Sequence, residues 1–229
     1  MLIRYIDIEK VDNMYFPYGN VEVMYLKERD RRMGDIIDRI GHIEREVDDT
    51  LFSSVVHHIV GQQISTRAQA TVWGRMKDSL FCVTPLSVAE CDRNRLQSFG
   101  LTWRKADYIL DFSRKVLSGE FSTEEVAKMT DEEAVSALTS LKGIGVWTAE
   151  MILLFGLRRP DIFSCDDLAI QRGLRMVYHH RSIDRELFER YRRRFSPYSS
   201  VASLYLWAVA GGAVPGLSDP AHRQEGRRK

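Results

Sequence analysis

Two stretches of this sequence carry residues whose types and spacing could do chemistry. The first is Leu138-Thr139-Ser140-Leu141-Lys142-Gly143-Ile144-Gly145-Val146-Trp147-Thr148-Ala149-Glu150-Met151. Its two glycines free the backbone for a tight turn with φ > 0, and Ile144 between them is apolar enough to plug the junction of two helices. From Gly145 onward, unpaired N–H groups beside the positive end of the second helix would form an anion site without any charged side chain. Glycine would be needed there so that no Cβ stands between the backbone and a phosphate. The second stretch, Ile162-Phe163-Ser164-Cys165-Asp166-Asp167, ends on two adjacent acids ahead of a helical pattern through Leu168, Ile170, Leu174 and Val177. An N-cap role, worth about 1 kcal/mol, accounts for one Asp and not for the other. A lone Gly-x-Gly is as readily an ordinary helix corner. The context that favours a functional hairpin is the acid pair, reached through Gly156 and Arg158-Arg159-Pro160, a segment expected to carry it back toward the turn.

These residues need helices to position them, and almost every long segment reads as helix. Met33, Ile36, Ile37 and Ile40 recur at the spacing of one helical face, as do Leu51, Val55, Ile59 and Val60, and later Ile109, Leu110, Phe112, Val116 and Leu117. Thr84-Pro85 opens another helix with proline at its first position. Ser122-Thr123-Glu124-Glu125 and Thr130-Asp131-Glu132-Glu133 each combine an N-cap with early acids. Strand-like alternation is confined to Tyr5-Ile6-Asp7-Ile8 and Val21-Glu22-Val23, so at most a small N-terminal strand pair is expected. The predicted class is all-α, with two helical lobes flanking a groove and one helical hairpin. Its expected organisation is an N-terminal arm over 1–26, a helical domain over 27–217 and a disordered basic tail over 218–229.

Composition narrows the functional classes. The chain has 229 residues, 44% of them apolar, enough for one sizeable core or two small lobes. The cysteines Cys82, Cys91 and Cys165 lack the paired spacing of a zinc or iron–sulfur site, and the histidine pairs His57-His58 and His179-His180 are adjacent rather than four apart. No run approaches the roughly 20 apolar residues of a membrane span. The first ten residues include Arg4, Asp7 and Glu9, unlike a signal peptide. A soluble intracellular protein is expected, cytoplasmic if bacterial and nuclear if eukaryotic. Net charge is +1, but residues 1–141 carry −5 and residues 142–229 carry +6, so the half bearing both stretches is the basic one. The run Arg192-Arg193-Arg194 contributes there, although such runs are most often solvated faces.

Leu141 to Glu150, the Gly156/Pro160 segment and Asp167 resemble the helix-hairpin-helix/Gly-Pro-Asp superfamily of DNA glycosylases. Gly61-Gln62-Gln63-Ile64-Ser65, Trp147-Thr148-Ala149-Glu150-Met151 and Tyr205-Leu206-Trp207 narrow the resemblance to the 3-methyladenine DNA glycosylase II group, from about Lys27 to Gly212. It implies a DNA glycosylase of base excision repair that binds duplex DNA containing a damaged base and acts as a monomer. Asp167 would be the catalytic carboxylate, stabilising positive charge on the deoxyribose, with Asp166 as the cap or a solvent-facing partner. Helix N–H groups directed at Asp167 would favour its anionic form. Trp147, Met151, Leu168 and Trp207 would line the pocket for a flipped base, where π faces favour an electron-poor alkylated purine by roughly 0.5 to 2 kcal/mol. Gln63 would wedge into the duplex, and Gln62 either contacts DNA or bonds within its lobe. Lys142, Gly143, Gly145 and Thr148 would meet the backbone of the DNA.

Bifunctional members of the superfamily carry a lysine nucleophile where this chain has Trp147, which implies base removal without strand cleavage. The resemblance also implies a monovalent cation on the carbonyls of Thr139, Leu141 and Ile144 when DNA is bound, and no iron–sulfur cluster, since only Cys165 lies in the C-terminal half. Two departures stand out. Lys142 replaces the superfamily's usual proline, and Ser199 stands where an arginine is expected before Ser200-Val201-Ala202. The competing readings are a glycosylase for another damaged base and a noncatalytic DNA-binding scaffold built on the same hairpin.

Overall fold

The computed structural model describes residues 14–221. In chain order these form thirteen helices: α1 (Asn20–Arg29), α2 (Arg31–Ile40), α3 (Leu51–Gly61), α4 (Thr66–Leu80), α5 (Pro85–Ala89), α6 (Arg93–Ser98), α7 (Trp103–Leu117), α8 (Thr123–Val126), α9 (Asp131–Thr139), α10 (Val146–Gly156), α11 (Leu168–Tyr178), α12 (Arg185–Phe195) and α13 (Ser199–Ala210). The all-α expectation holds. Among the described residues the only β pairing is a single antiparallel bridge between Tyr15 and Glu46. Val21-Glu22-Val23 is helical instead of extended, because Glu22 reaches back to accept from the Gly19 N–H at 2.8 Å and closes the first turn of α1. The expected strand at Tyr5–Ile8 lies outside the described residues. No described helix is long and apolar enough to cross a membrane.

Helix starts follow short polar signals. Thr84 caps α5 with Pro85 at its first position, Ser122 caps α8, and Thr130 shares a reciprocal capping box with Glu133 at α9.

The chain divides into two compact units, 47–157 and the discontinuous set 14–46 with 158–221. Unit 47–157 is built round α3, whose Leu51, Phe52, Val55, Val56, Ile59 and Val60 are all buried. Phe52 stacks on Phe112 of α7 at 4.9 Å, and Phe121 meets Phe112 edge-on. Gly156, the last residue of α10, abuts α3 so closely that a Cβ there would lie 2.7 Å from the Ser54 side chain. That glycine serves helix packing, whereas the sequence suggested a loop.

The other unit is centred on α13, with Val201 through Leu206 and Val209 buried, and on an aromatic cluster of Phe163, Phe188 and Phe195. Gly173 of α11 lets α13 pack flush, since a Cβ there would stand 2.5 Å from the Leu206 carbonyl oxygen. The segment expected to begin a frayed tail is docked at its start. Asp219 is buried and takes a two-pronged bond from Arg175 of α11, at 2.9 and 2.5 Å. The remainder of that segment, 222–229, lies outside the described residues.

Candidate active site

The polypeptide from Arg158 to Asp167 has little regular structure, so its position depends on side chains from α13. Ser200 receives the Ile162 N–H at 2.9 Å and donates to the Arg159 carbonyl at 2.6 Å, while its own N–H meets the Pro160 carbonyl at 3.0 Å. Ser203 donates to the Ile162 carbonyl at 3.3 Å. Asp161 accepts from the Ser196 hydroxyl at 2.6 Å and from the Ser199 N–H at 3.3 Å. Ser199, the departure from the expected arginine, is fully buried, and its N–H is one of the two donors on the Asp161 carboxylate. Small hydroxyls in a buried helix thus tie the loop to a rigid element and fix where it ends.

It ends on Asp167. This residue is 6% exposed and is the N-cap of α11, its Oδ1 accepting from the N–H groups of Ala169 at 2.9 Å and Ile170 at 2.8 Å. Sequence reasoning left Asp166 as the cap or a solvent-facing partner, and the structure gives the second. Asp166 is exposed, because the helix begins one residue later than a cap at that position requires. A third donor reaches the same oxygen: Trp207 Nε1 of α13 at 3.1 Å. Asp167 and Trp207, both singled out from sequence, are therefore hydrogen-bonded partners. Their approach depends on Gly173, one turn and a half further along α11, where the backbone of Leu206 comes close. Three N–H dipoles converging on one carboxylate oxygen orient the group and complement its negative charge. Leu168, expected as an apolar pocket neighbour, is 78% exposed at the first position of α11.

In unit 47–157 the hairpin joins α9 to α10. Leu141 and Ile144 are buried, and Ile144 plugs the turn as expected. The glycines differ in role. Gly143 is left-handed at φ 84°, and a Cβ there would strike the Tyr108 ring at 2.4 Å. Gly145 has φ −95°, open to any residue, and a Cβ there would meet nothing within 4 Å. Gly143 is thus required by the turn and by Tyr108, and Gly145 alone leaves the backbone open to an approaching group. The first intrahelical bond of α10 runs from the Ala149 N–H to the Gly145 carbonyl, so the N–H groups of Val146, Trp147 and Thr148 lie ahead of the ladder at its positive end. Trp147 is 42% exposed, whereas Met151 is buried. Thr148 is buried, although it was expected to meet the DNA backbone.

Lys142, expected to meet the DNA backbone, is exposed but bonded to Asp111 of α7 at 2.7 Å, which offsets its positive charge. Gln62 turns inward, its Nε2 donating to the Gly143 carbonyl at 2.7 Å, and Gln63 beside it is exposed with a left-handed φ of 57°. For the expected cation ligands, the Leu141 carbonyl already accepts the Ile144 N–H at 3.2 Å, and the Thr139 hydroxyl donates to Ser136. Among the described residues no group of three His, Cys, Asp or Glu side chains could hold a metal ion.

Sequence reasoning missed several groups, two of them here. One is Gly173, whose signal was an isolated glycine inside a helical pattern. The other is Asp48, half-buried ahead of α3, with His57 Nδ1 at 2.8 Å and His58 Nδ1 at 3.9 Å. Burial pushes the Asp48 carboxyl up, but the His57 hydrogen bond and charge, helped by Ser54 and His58, outweigh it and hold the group below its ordinary value.

Comparison with known proteins gives the family of the chain. Residues 56–197 match the HhH-GPD superfamily base excision DNA repair protein family. DNA-3-methyladenine glycosylase 1 of Schizosaccharomyces pombe is 29% identical, with 69% of this chain and 72% of that protein covered. A Bacillus subtilis protein named provisionally as a DNA-3-methyladenine glycosylase is 31% identical over 70% of this chain, which spans only 59% of that relative's length. The crystal structure of a DNA-3-methyladenine glycosidase from Bacillus halodurans superposes with a TM-score of 0.74 at 32% identity, covering 86% of this chain and 92% of that one. With the hairpin, the capped aspartate and the tryptophan that holds it, the chain belongs to the HhH-GPD superfamily and, within it, to the 3-methyladenine DNA glycosylase group.

Proposed function

We propose that this protein is a monofunctional DNA glycosylase that excises alkylated purines such as 3-methyladenine from duplex DNA in base excision repair. The observation that carries the reading is the Asp167 carboxylate, buried at the start of α11 with Ala169, Ile170 and Trp207 donating to Oδ1. An N-glycosidic bond breaks heterolytically. Its electron pair leaves with the base, positive charge develops at C1′, and a water oxygen then bonds to C1′ and loses a proton. A fixed carboxylate lowers the energy of that cation, because its charge is already oriented when the reaction begins. It is also positioned to accept the water's proton. A purine nucleoside methylated at N3 or N7 is cationic and its base departs neutral, so the leaving group needs no acid.

The hairpin supplies the backbone of the interface. Gly145 leaves room for a phosphate, and the first N–H groups of α10 favour an anion there. Gln63, exposed and left-handed, fits the role of a wedge that fills the space left by a flipped base. Trp147 in the position of the superfamily's lysine nucleophile leaves no amine at that place to attack the sugar, which supports hydrolysis without strand cleavage. The carbonyls of Thr139, Leu141 and Ile144 would hold a monovalent cation when DNA is bound, and its positive charge would favour a phosphate at the turn. The protein would act as a monomer wherever the cell keeps its DNA, the cytoplasm of a bacterium or the nucleus of a eukaryote.

The test is incubation with duplexes carrying 3-methyladenine, 7-methylguanine, hypoxanthine or uracil, with abasic sites scored before and after alkali. Release of an alkylated purine, with strand breaks only after alkali, is expected. Breaks before alkali would contradict the monofunctional assignment. Binding without release of any base would favour a noncatalytic scaffold.

A further inference from the structure

The turn that presents Gln63 is held by a residue that no sequence motif marked. Lys105, at the third position of α7, is 9% exposed, and its Nζ donates to the carbonyls of Val60 at 2.8 Å and Gln62 at 2.6 Å. These are the carbonyls at the C-terminal end of α3, where a cation complements the helix dipole. Burial, then the neighbouring Arg104 charge, hold the Lys105 ammonium below its ordinary value.

Two further contacts close the frame. Gly61 lies so close to Gln69 of α4 that a Cβ would stand 2.5 Å from its amide, and Gln69 Nε2 donates to the His57 carbonyl at 3.1 Å. Gln62 Nε2 then connects the turn to the Gly143 carbonyl of the hairpin. Between these fixed points Gln63 takes a left-handed conformation that a residue with a Cβ adopts only when its surroundings impose it.

We infer that Lys105 is a positioning residue. By anchoring the Val60 and Gln62 carbonyls it holds Gln63 in its exposed left-handed conformation and locks the Gln63 turn to the phosphate-binding hairpin as one rigid piece. The inference rests on the glycosylase reading for its functional consequence but not for its structural content. Lys105 would touch no DNA. Its effect would appear in the step that Gln63 performs, namely keeping the flipped state open, and not in the initial docking of duplex.

The experiment compares wild type, Lys105→Met, Gln63→Ala and the double variant, all as the full chain. Single-turnover release of 7-methylguanine, duplex affinity by fluorescence anisotropy, and hydrogen exchange over residues 60–65 by mass spectrometry are measured. Loss of two hydrogen bonds from a charged donor is expected to slow release by about tenfold or more and to speed exchange over 60–65 by a similar factor, with duplex affinity changed less than about twofold. Gln63→Ala should slow release comparably, and the double variant should be no slower than the worse single, because the two residues act through one turn. Losses that multiply in the double variant, or exchange that is unchanged, would overturn the inference. If Lys105→Met does not fold, Lys105→Gln, which retains a donor for one carbonyl, should give an intermediate exchange rate, and a wild-type rate would overturn it. If wild type releases no base, the glycosylase reading fails while the exchange measurement still decides the role of Lys105.

Discussion

Trp207 Nε1 donates to Asp167 Oδ1 at 3.1 Å, on the same oxygen that caps α11. One carboxylate oxygen thus links the end of an irregular loop, the start of one helix and the middle of another. Trp207→Phe keeps an aromatic face and removes the N–H. A hydrogen bond to a charged group is worth roughly 1.5 to 3 kcal/mol, so single-turnover base release should fall by about tenfold to a hundredfold. A thermal unfolding midpoint close to wild type would separate lost orientation from lost packing.

At Gly173 the two helices α11 and α13 approach closely, with an added Cβ placed 2.5 Å from the Leu206 carbonyl oxygen. Gly173→Ala must push α13 outward and carry Trp207 away from Asp167. Overpacking of this kind costs about 1 to 3 kcal/mol, measurable by urea unfolding, and base release should fall along with stability. A variant as stable and as active as wild type would show that the helices do not need this contact.

Lys142 spends its charge on Asp111 at 2.7 Å. Asp111→Asn should free that ammonium for phosphate, raising nonspecific duplex affinity a few-fold and steepening the slope of log K against log salt by about one unit. Anisotropy titrations at several salt concentrations check it. An unchanged slope would place Lys142 away from the backbone of the DNA.

Asp48 links pH to stability through His57. Its carboxyl is held below its ordinary value in the folded chain, so its contribution is fully present above the unfolded value of about 4 and is lost as pH falls through the lower folded one. Acid unfolding of wild type should therefore include a component below about pH 4 that Asp48→Asn lacks. At neutral pH that variant should already be less stable by about 1 to 3 kcal/mol. Circular dichroism during acid titration of both proteins gives the comparison.

The legible parts of the fold were those set by neighbours in sequence. Ser122, Thr130 and Thr84-Pro85 mark helix starts because a cap needs only the next three residues. The hairpin turn, and the singling out of Asp167 and Trp207, came from a different source: their order along the chain matches a known pattern. What stayed hidden depends on distant partners or on a one-residue phase. Val21-Glu22-Val23 alternates like a strand, yet Glu22 closes a helical turn on Gly19. Which of Asp166 and Asp167 caps α11 depends on where the helix begins, a one-residue phase that composition does not set. Gly143 and Gly145 look like a matched pair, but Tyr108 of α7 makes one a packing residue. Lys105 reads as a surface lysine until the carbonyls of α3 are placed beside it. Asp219 lay in a segment with the composition of a tail, and its pairing with the distant Arg175 is what docks it.

The most direct test of the Asp167 assignment is single-turnover release of 7-methylguanine by Asp167→Asn. Asparagine caps a helix about as well as aspartate and keeps an oxygen for Ala169, Ile170 and Trp207, so the fold and duplex affinity should persist while the negative charge is lost. Removal of a principal charge-stabilising group is expected to slow release by about a hundredfold or more. Release at the wild-type rate by a folded Asp167→Asn protein would contradict the proposal that this carboxylate stabilises the sugar cation.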